Sequence, residues 1–186
     1  MSEPYSLGPM PVDRGMTTVD EHVTHAPLDT IFELAADVER WPSLLPHYRY
    51  VRFLERRANG GGLVEMSANR PFGAMDWPTH WTSLMSVARP GSQATPSIRF
   101  RHVRGVTTGM DVEWTFTPAP GRAGDTLVRI VHVWNGPAWP LIGDIAARGV
   151  IGPVFIHGIA SRTLAGLVRA AERRATDASR IEVSSG

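Results

Sequence analysis

The sequence predicts an α+β fold, in which a curved antiparallel sheet of about seven strands wraps around one long C-terminal helix. Three observations support this prediction. Short segments between Thr17 and Trp134 alternate apolar and polar residues, as half-buried strands do. The connections between these segments are as short as hairpin turns, which implies antiparallel pairing. From about Gly152 to Arg174 the apolar residues instead recur at steps of three and four, which indicates an amphipathic helix.

Size and composition limit the class of protein. A chain of 186 residues is expected to form one domain, large enough for a core and a cavity. The net charge of +1 shows none of the basic excess that is typical of nucleic-acid binding. The absence of cysteine excludes disulfides and zinc-thiolate sites. We therefore expect a cytoplasmic protein.

The two ends of the chain differ from its centre. Residues 1–15 contain three prolines and no apolar run of a signal peptide, and no run in the chain approaches the length of a membrane span. We predict a flexible leader over 1–15, a ligand-binding domain over 16–175 and a flexible polar tail over 176–186.

The first predicted elements are a strand and two short helices. Thr17 to His25 has strand character, and Pro27 then suits the first turn of a helix that runs to about Ala36. A second helical segment, from Val38 to Leu45, is closed by Pro46. These two short helices separate the first strand from the second.

Six further strands complete the predicted sheet: Tyr48–Glu55, Leu63–Asn69, Met75–Met85, Ser97–Arg104, Met110–Thr117 and Thr126–Trp134. The strongest alternation lies in the fifth of these segments, where Asp111 and Glu113 are on the polar face and are expected to be solvated. Pro78 indicates an edge position or a bulge in its strand. The order of elements matches a helix-grip fold.

Motifs at the start of the predicted domain resemble a known superfamily. They are Val23–Pro27, Ile31–Leu34 and the run Asp-Val-Glu-Arg-Trp-Pro-Ser-Leu-Leu-Pro over Asp37–Pro46. This combination resembles the opening of the START-like (SRPBCC, or Bet v 1-like) superfamily, which includes polyketide cyclases and coenzyme Q-binding proteins. The resemblance extends from Thr17 to Arg174 and implies a helix-grip fold around a ligand cavity. Because this superfamily contains enzymes, carriers and receptors, the resemblance predicts the fold better than the function.

Within the superfamily, the chain is more similar to bacterial aromatase/cyclases of the tetracenomycin type than to the quinone-binding branch. Trp41 and Tyr48 match a Trp and a Tyr on the lid side of that family's pocket. Met110 and Trp114 match a Met and a Trp, four residues apart, on a cavity-facing strand. Arg101, followed by a glycine four residues later, matches an upstream Arg and Gly.

The similarity also includes a Trp-x-Ser element, which Trp77 and Thr79 resemble. The family's arginine two residues after that serine is replaced by Trp81, so a mechanism that requires its guanidinium does not carry over. His157 and Arg162 fall on the final helix, where related proteins also place polar residues.

These patterns predict a ligand site with a mostly apolar lining. A reactive poly-β-ketone must be folded and shielded from side reactions, which a large aromatic cavity would achieve. Six tryptophans suit such a lining, although any one of them could equally belong to the core. The residues expected to bind ligand are Trp41, Leu45, Tyr48, Trp77, Trp81, Met110, Trp114 and Trp134.

Four residues are candidates for chemistry in this cavity: Arg101, Thr79, His132 and His157. Arg101 could stabilise an enolate, but strand alternation places Ile98, Phe100 and His102 on the opposite face from it, so it could also be a solvated surface charge. The two histidines could transfer protons or be satisfied core side chains.

No histidine and carboxylate spacing indicates a metal, and no phosphate loop, dinucleotide motif or Gly-x-Ser-x-Gly element is present. We therefore expect neither a metal nor a cofactor.

The leading hypothesis is a polyketide aromatase/cyclase of antibiotic biosynthesis that promotes aldol cyclisation and dehydration. Its substrate would be a hydrophobic acyl chain, with an acyl carrier protein as the possible partner that presents it. The alternative is a non-catalytic carrier of a quinone, lipid or aromatic metabolite in the same cavity. A third hypothesis is a subunit that assists a quinone or membrane enzyme through an apolar surface patch.

Overall fold

The computed structural model describes residues 2–72, 75–92, 94–136 and 152–184. Its seven strands are β1 (Met16–Thr24), β2 (Tyr48–Arg56), β3 (Gly62–Phe72), β4 (Met75–Ala88), β5 (Ser97–Gly105), β6 (Asp111–Pro118) and β7 (Thr126–Trp134). Its helices are α1 (Leu28–Ala36), α2 (Trp41–Leu44) and α3 (Gly152–Ser184), with a 3₁₀ turn over Val38–Arg40. The predicted fold class, with two short helices between the first two strands, is confirmed.

All seven strands form one antiparallel sheet in the order β1-β7-β6-β5-β4-β3-β2. Each strand from β2 to β6 pairs with the next one in the chain, as hairpin connections require. β1 pairs with β7, with Thr18 opposite His132, and so closes the sheet beside its last strand. α3 packs against β1, α1 and β3, so the concave face of the sheet is filled by helix.

The core lies between this concave face and the helices. Its largest fully buried side chains include Phe32 of α1, Phe116 of β6 and Leu167 of α3, and the first two rings meet edge to face at 5.2 Å. On β6 the residues Val112, Trp114 and Phe116 are buried, which is the face that the alternation predicted. The core therefore joins the short helices to the sheet and to α3.

Pro78 lies within β4, opposite Asn69 of β3. The pairing between β4 and β5 begins only at Trp81, which lies opposite Gly105. On the side of β4 towards β5 the pairing therefore does not reach Pro78, and such a strand edge is where a residue without an N–H is tolerated. The predicted edge position is correct locally, although β4 as a whole is an internal strand.

The two segments predicted to be flexible, the leader over 1–15 and the tail over 176–186, contain packed or helical residues. α3 continues to Ser184, so most of the predicted tail over 176–186 is helical. In the predicted leader, Leu7 is buried and the Tyr5 hydroxyl donates a hydrogen bond to Glu55 at 2.8 Å. The backbone carbonyls of Leu7 and Gly8 accept hydrogen bonds from Arg101 and Arg99 of β5. The leader therefore lies across the outer face of the sheet.

Candidate functional site

A small cavity lies between the concave face of the sheet and α3. Its volume is about 60 Å³. Side chains from β2 to β7, from α2 and from α3 converge on it: Trp41, Tyr48, Met66, Trp81, Phe100, His102, Met110, Val112, Trp114, His132, Ile159, Ala160 and Thr163. This lining is mostly apolar and aromatic, with a few polar groups, which is the usual make-up of a small-molecule site.

Trp41 is the centre of the aromatic part of the lining. Its ring lies 5.2 Å from Tyr48, 5.8 Å from Trp114 and 6.4 Å from Phe100, measured between centroids. The indole N–H is satisfied away from the cavity, because it donates a hydrogen bond to the Leu34 carbonyl at 3.2 Å. Trp41 therefore presents an apolar face to the cavity while α1 fixes its orientation.

A chain of hydrogen bonds runs from His47 to the cavity. Nε2 of His47 lies 3.0 Å from the Thr163 hydroxyl, which in turn lies 3.4 Å from the Tyr48 hydroxyl. Thr163 and Tyr48 are buried and line the cavity. The positions of the protons in this chain depend on the tautomer of His47. Either direction of donation links the imidazole to the phenol through one hydroxyl.

Burial lowers the pKa of His47 from 6.5 to about 4, and the positive charge of Arg162 acts in the same direction. The imidazole is therefore neutral at physiological pH, and one of its two nitrogens is free to accept a hydrogen bond. A neutral His47 can take either tautomer, so the hydrogen-bond chain can reverse without any change of net charge.

Two further histidines reach the cavity from the sheet. Nδ1 of His102 lies 2.6 Å from the Thr107 hydroxyl, and the imidazole stacks on Trp81 with 6.0 Å between the centroids and 19° between the planes. Nδ1 of His132 lies 3.3 Å from the Thr18 hydroxyl. In both residues a threonine orients Nδ1, which fixes the ring and aims Nε2 away from that threonine. Both can act as proton donors or acceptors.

The structure brings six of the predicted site residues together around the cavity: Trp41, Tyr48, Trp81, Met110, Trp114 and His132. Their placement follows from strand parity and from the α2 turn. What each of them does to a ligand stays a prediction.

Arg101 lies on the opposite side of the sheet, and the prediction that it is a catalytic group in the cavity is wrong. Its guanidinium contacts Asp111 at 2.8 Å and donates a hydrogen bond to the Leu7 carbonyl at 2.9 Å. The reason is the two-residue period of β5, in which Phe100 and His102 point inward and Arg101 must point outward. Arg101 therefore points outward, as the second interpretation required, but it is paired with Asp111 and with the leader and is not a solvated charge.

Asp111 also differs from expectation. The sequence predicted a solvated carboxylate, but the side chain is only 2% exposed and pairs with Arg101, whose guanidinium also contacts the Leu7 carbonyl of the leader. Arg99 lies near it on the same face. A buried carboxylate is tolerated there because its charge and its lone pairs are matched by guanidinium groups.

Three more predicted site residues are buried but do not line the cavity. The Thr79 hydroxyl donates a hydrogen bond to the Ala68 carbonyl of β3 at 3.0 Å, so it is engaged by the sheet. The Trp134 indole donates to the Thr108 carbonyl at 3.0 Å. Leu45 packs against Gly166 of α3. The backbones of Trp77 and His157 lie in β4 and α3, but their side chains lie outside the part of the chain that the structure describes.

Three polar residues of the site, His47, His102 and Thr163, are not among those predicted from the sequence. His102 could have been found, because it shares the inward parity of Ile98 and Phe100. Thr163 lies beside the apolar stripe of α3, next to Leu164, and a buried hydroxyl at that position has no distinctive signal in the sequence. His47 follows Pro46 in a turn, where periodicity gives no information.

Two glycines of α3, Gly158 and Gly166, differ in how closely other residues pack against them. A Cβ at Gly166 would overlap the end of the Leu45 side chain, so this glycine admits Leu45 and not a ligand. A Cβ at Gly158 would meet no atom of the described residues within 4 Å. Gly158 directly precedes Ile159, which lines the cavity.

Among the described residues, no group of three or more His, Asp or Glu side chains is placed to hold a metal ion. In the same part of the chain, no helix combines the length and the apolar character needed to cross a membrane.

Residues 24–152 match the family described as "Polyketide cyclase / dehydrase and lipid transport". The match covers more than half of the chain, so this protein belongs to that family. A comparison with functionally curated proteins finds no match.

Solved structures with the same fold include an aromatase/cyclase and proteins whose names give no activity. The chain is similar to TTHA0849 from Thermus thermophilus, with 17% identity, a TM-score of 0.68, and coverage of 84% of this chain and 97% of that one. It is similar to the Zhui aromatase/cyclase from Streptomyces sp. R1128, with 21% identity, a TM-score of 0.67 and coverage of 86% and 94%. It is also similar to a START superfamily protein from Mycobacterium smegmatis, with 16% identity, a TM-score of 0.59, and coverage of 87% of this chain and 97% of that one. At these identities the likeness shows the fold alone.

Proposed function

We propose that this protein binds a hydrophobic aromatic or polyketide ligand in the cavity under α3 and promotes its aldol cyclisation and dehydration. The observation that carries the proposal is the convergence of Trp41, Tyr48, Trp81 and Trp114 with two histidines on one cavity. Family membership supports it, because the family's own description includes cyclases and dehydrases.

The reaction requires side chains that can accept a proton from the substrate and donate one to it. In an aldol cyclisation a base removes a proton from a carbon beside a carbonyl, and the resulting enolate carbon attacks a second carbonyl. The new alkoxide then takes up a proton, and a later elimination releases water. His102 and His132 are the groups suited to accept the first proton, and the Tyr48 hydroxyl is suited to donate a hydrogen bond to the carbonyl that becomes the alkoxide.

Thr163 and His47 would support Tyr48 in that role. If His47 carries its proton on Nε2, it donates to Thr163, and Thr163 then donates to the Tyr48 oxygen. With Thr163 as donor, the Tyr48 oxygen is an acceptor in this chain, and its O–H is the group that we propose donates to a ligand oxygen. The low pKa of His47 keeps the chain uncharged, which avoids a buried imidazolium beside an apolar ligand.

The size of the cavity restricts how a ligand could enter. A volume of about 60 Å³ holds a few water molecules, whereas sites for drug-sized ligands occupy roughly 300–1,000 Å³. A polyketide could bind only if aromatic side chains swing aside or α3 moves away from the sheet. We therefore propose that the protein also populates a minor conformation with a wider cavity, and that ligand binding shifts the population towards it.

A non-catalytic carrier is the second candidate, and one observation favours it. Among the described residues, the cavity lining includes no Lys, Arg, Asp or Glu, since Arg101 points out of the sheet. A site of neutral aromatic side chains can hold a quinone or lipid without activating a carbonyl strongly. The same lining therefore suits storage or transport as well as catalysis.

Two measurements separate the candidates. Binding is followed by quenching of tryptophan fluorescence with a hydroxylated anthraquinone, and turnover by the product spectrum of a minimal polyketide synthase with and without this protein. For a cyclase we expect a changed product spectrum in the wild type, and at least a tenfold lower yield of the cyclised product for His102→Ala or His132→Ala with binding retained. His22→Ala, which alters an exposed histidine on β1, is the matched control and should leave both readouts unchanged.

For a carrier, binding is expected without any change in the product spectrum. An absence of quenching by the anthraquinone, together with an unchanged product spectrum, would contradict both candidates. Quenching that persists when the cavity is blocked by Ala160→Trp would contradict the location of the site, because Ala160 is buried in its lining.

A further inference from the structure

Four arginines form a straight row along α3. Arg162, Arg169, Arg173 and Arg180 are spaced by seven, four and seven residues. At about 100° of rotation per residue, these spacings keep the four Cα positions within about 20° of one line on the helix surface. With a rise of about 1.5 Å per residue the row is about 27 Å long. All four side chains are exposed.

The arginines of the row differ in their ion pairing from most of the arginines on the sheet, although Glu172 and Asp177 lie on the same part of the helix surface. Eight arginines elsewhere in the described chain make ion pairs with carboxylates, namely Arg40, Arg52, Arg56, Arg57, Arg89, Arg99, Arg101 and Arg129. None of the four arginines in the row has such a pair with a described residue within 4 Å. The nearby Glu172 is engaged instead by the Thr24 hydroxyl and the His25 amide. The row thus concentrates four positive charges on a protein whose net charge is only +1.

The row begins at the candidate ligand site. Arg162 directly precedes Thr163, whose hydroxyl lines the cavity and belongs to the chain of hydrogen bonds that ends at Tyr48. The other three arginines continue along the same helix, away from the cavity. A partner that lies along this row would therefore have one end beside the cavity.

We propose that the arginine row is the docking surface for an acidic helix of a carrier protein that presents an acyl chain to the cavity. This inference rests on the proposed function and specifies the partner of the same site. Guanidinium groups pair with carboxylates through two parallel hydrogen bonds, so a row of them favours carboxylates at matching helical spacing. A straight row of about 27 Å matches the length of a helix of about five turns.

The surroundings of the row argue against a membrane surface. A helix that lies on a membrane inserts a free apolar face beside its basic face. In the part of α3 between Arg162 and Arg173 the apolar face is already covered, since Leu164, Leu167 and Val168 are buried against the body of the protein. The row itself lies between polar residues such as Thr176 and Asp177. Carboxylates on a folded partner are therefore the better match than lipid headgroups.

The test measures binding of a fluorescently labelled acyl carrier protein of an aromatic polyketide synthase by anisotropy, at about 50 mM and about 300 mM salt. The double variant Arg169→Glu/Arg173→Glu reverses the centre of the row. The matched control is Arg174→Glu/Arg122→Glu, which makes the same change of net charge at exposed arginines outside the row, one of them on the same helix. We expect at least tenfold weaker binding for the row variant, at most a twofold change for the control, and weaker wild-type binding at the higher salt.

Three results would overturn the proposal. The first is the absence of carrier binding by the wild type at low salt. The second is an equal loss in the row variant and the control, which would indicate a general effect of net charge. The third is binding to phosphatidylglycerol vesicles, lost in the row variant, in place of carrier binding. Circular dichroism and thermal unfolding verify that both variants are folded.

The anthraquinone binding assay keeps this inference separate from the proposed function. If the row variant loses the carrier but still binds the anthraquinone, the docking surface and the ligand site are both supported. If the wild type binds the carrier through the row but no anthraquinone, the docking surface stands and the proposed ligand site fails.

Discussion

Acidification is predicted to destabilise this protein through His47. The imidazole is packed beside Thr163 and near Arg162, and these surroundings lower its pKa to about 4, while the unfolded chain has a pKa near 6.5. Between these two values the unfolded state binds a proton that the folded state does not. The free energy of unfolding therefore falls as the pH falls from about 6.5 to about 4, and this contribution does not change further below that range.

The size of the effect follows from the two pKa values. Their difference corresponds to at most about 3 kcal/mol at 1.36 kcal/mol per unit. The ring is partly exposed, and solvent screening reduces this to about 1–2 kcal/mol. Protonation of His47 also restricts its hydrogen bond to Thr163. In the imidazolium both ring nitrogens carry a proton, so Nε2 can only donate to the Thr163 hydroxyl and can no longer accept from it.

The assay is urea unfolding at pH 7.5, 6.5, 5.5 and 4.5, for the wild type and for His47→Gln. Glutamine keeps hydrogen-bonding capacity but does not titrate, so the difference between the two proteins isolates His47 from the carboxylates that also titrate in this range. We expect the wild type to lose about 1–2 kcal/mol more than His47→Gln between pH 7.5 and 4.5. His22→Gln, at an exposed position on β1, should retain the wild-type dependence. Parallel curves for the wild type and His47→Gln would refute the assigned pKa.

Two pairs of variants test the packing around the site. Gly166→Ala is expected to destabilise the protein by about 1–3 kcal/mol, because the added Cβ overlaps Leu45. Gly158→Ala, on the same helix, adds a Cβ that meets no described atom within 4 Å, so it should be neutral or stabilising by up to about 1 kcal/mol. Thermal unfolding of both variants checks this, and equal shifts would contradict it. Asp111→Asn is expected to cost about 3 kcal/mol, because it leaves the guanidinium of its partner beside a neutral amide on the covered face. Glu113→Gln on the same strand face, which is more exposed, should cost less than about 1 kcal/mol in the same chemical unfolding assay.

Much of the fold could be predicted from local pattern. The alternation from Met110 to Thr117 located β6 and its buried face, because a two-residue period in a strand leaves only two orientations for its side chains. The two prolines at 27 and 46 marked where the first helix begins and where the second ends, since proline restricts the backbone on its own. The end of α3 was predicted too early, because its last two turns are largely polar and lack the periodicity that indicated the rest.

The candidate site could be predicted in part. Trp41, Tyr48, Met110 and Trp114, which were predicted as ligand-binding residues from motif and strand parity, line the cavity. Arg101 was assigned a role that its parity opposed, and the packing of the leader against β5 explains why an arginine is stabilised there. That contact joins residues 94 positions apart, and no local pattern contains such information.

The sequence by itself therefore determined the sheet, the long helix and the apolar lining, because each depends on the period of a helix or a strand. The tertiary structure decided which polar groups meet. It connected His47 to Tyr48 through Thr163, paired Arg101 with Asp111 under the leader, and reduced the space beneath α3 to about 60 Å³. These outcomes depend on distances between residues far apart in the chain and on the filling of a shared volume by side chains, and both are properties of the packed molecule.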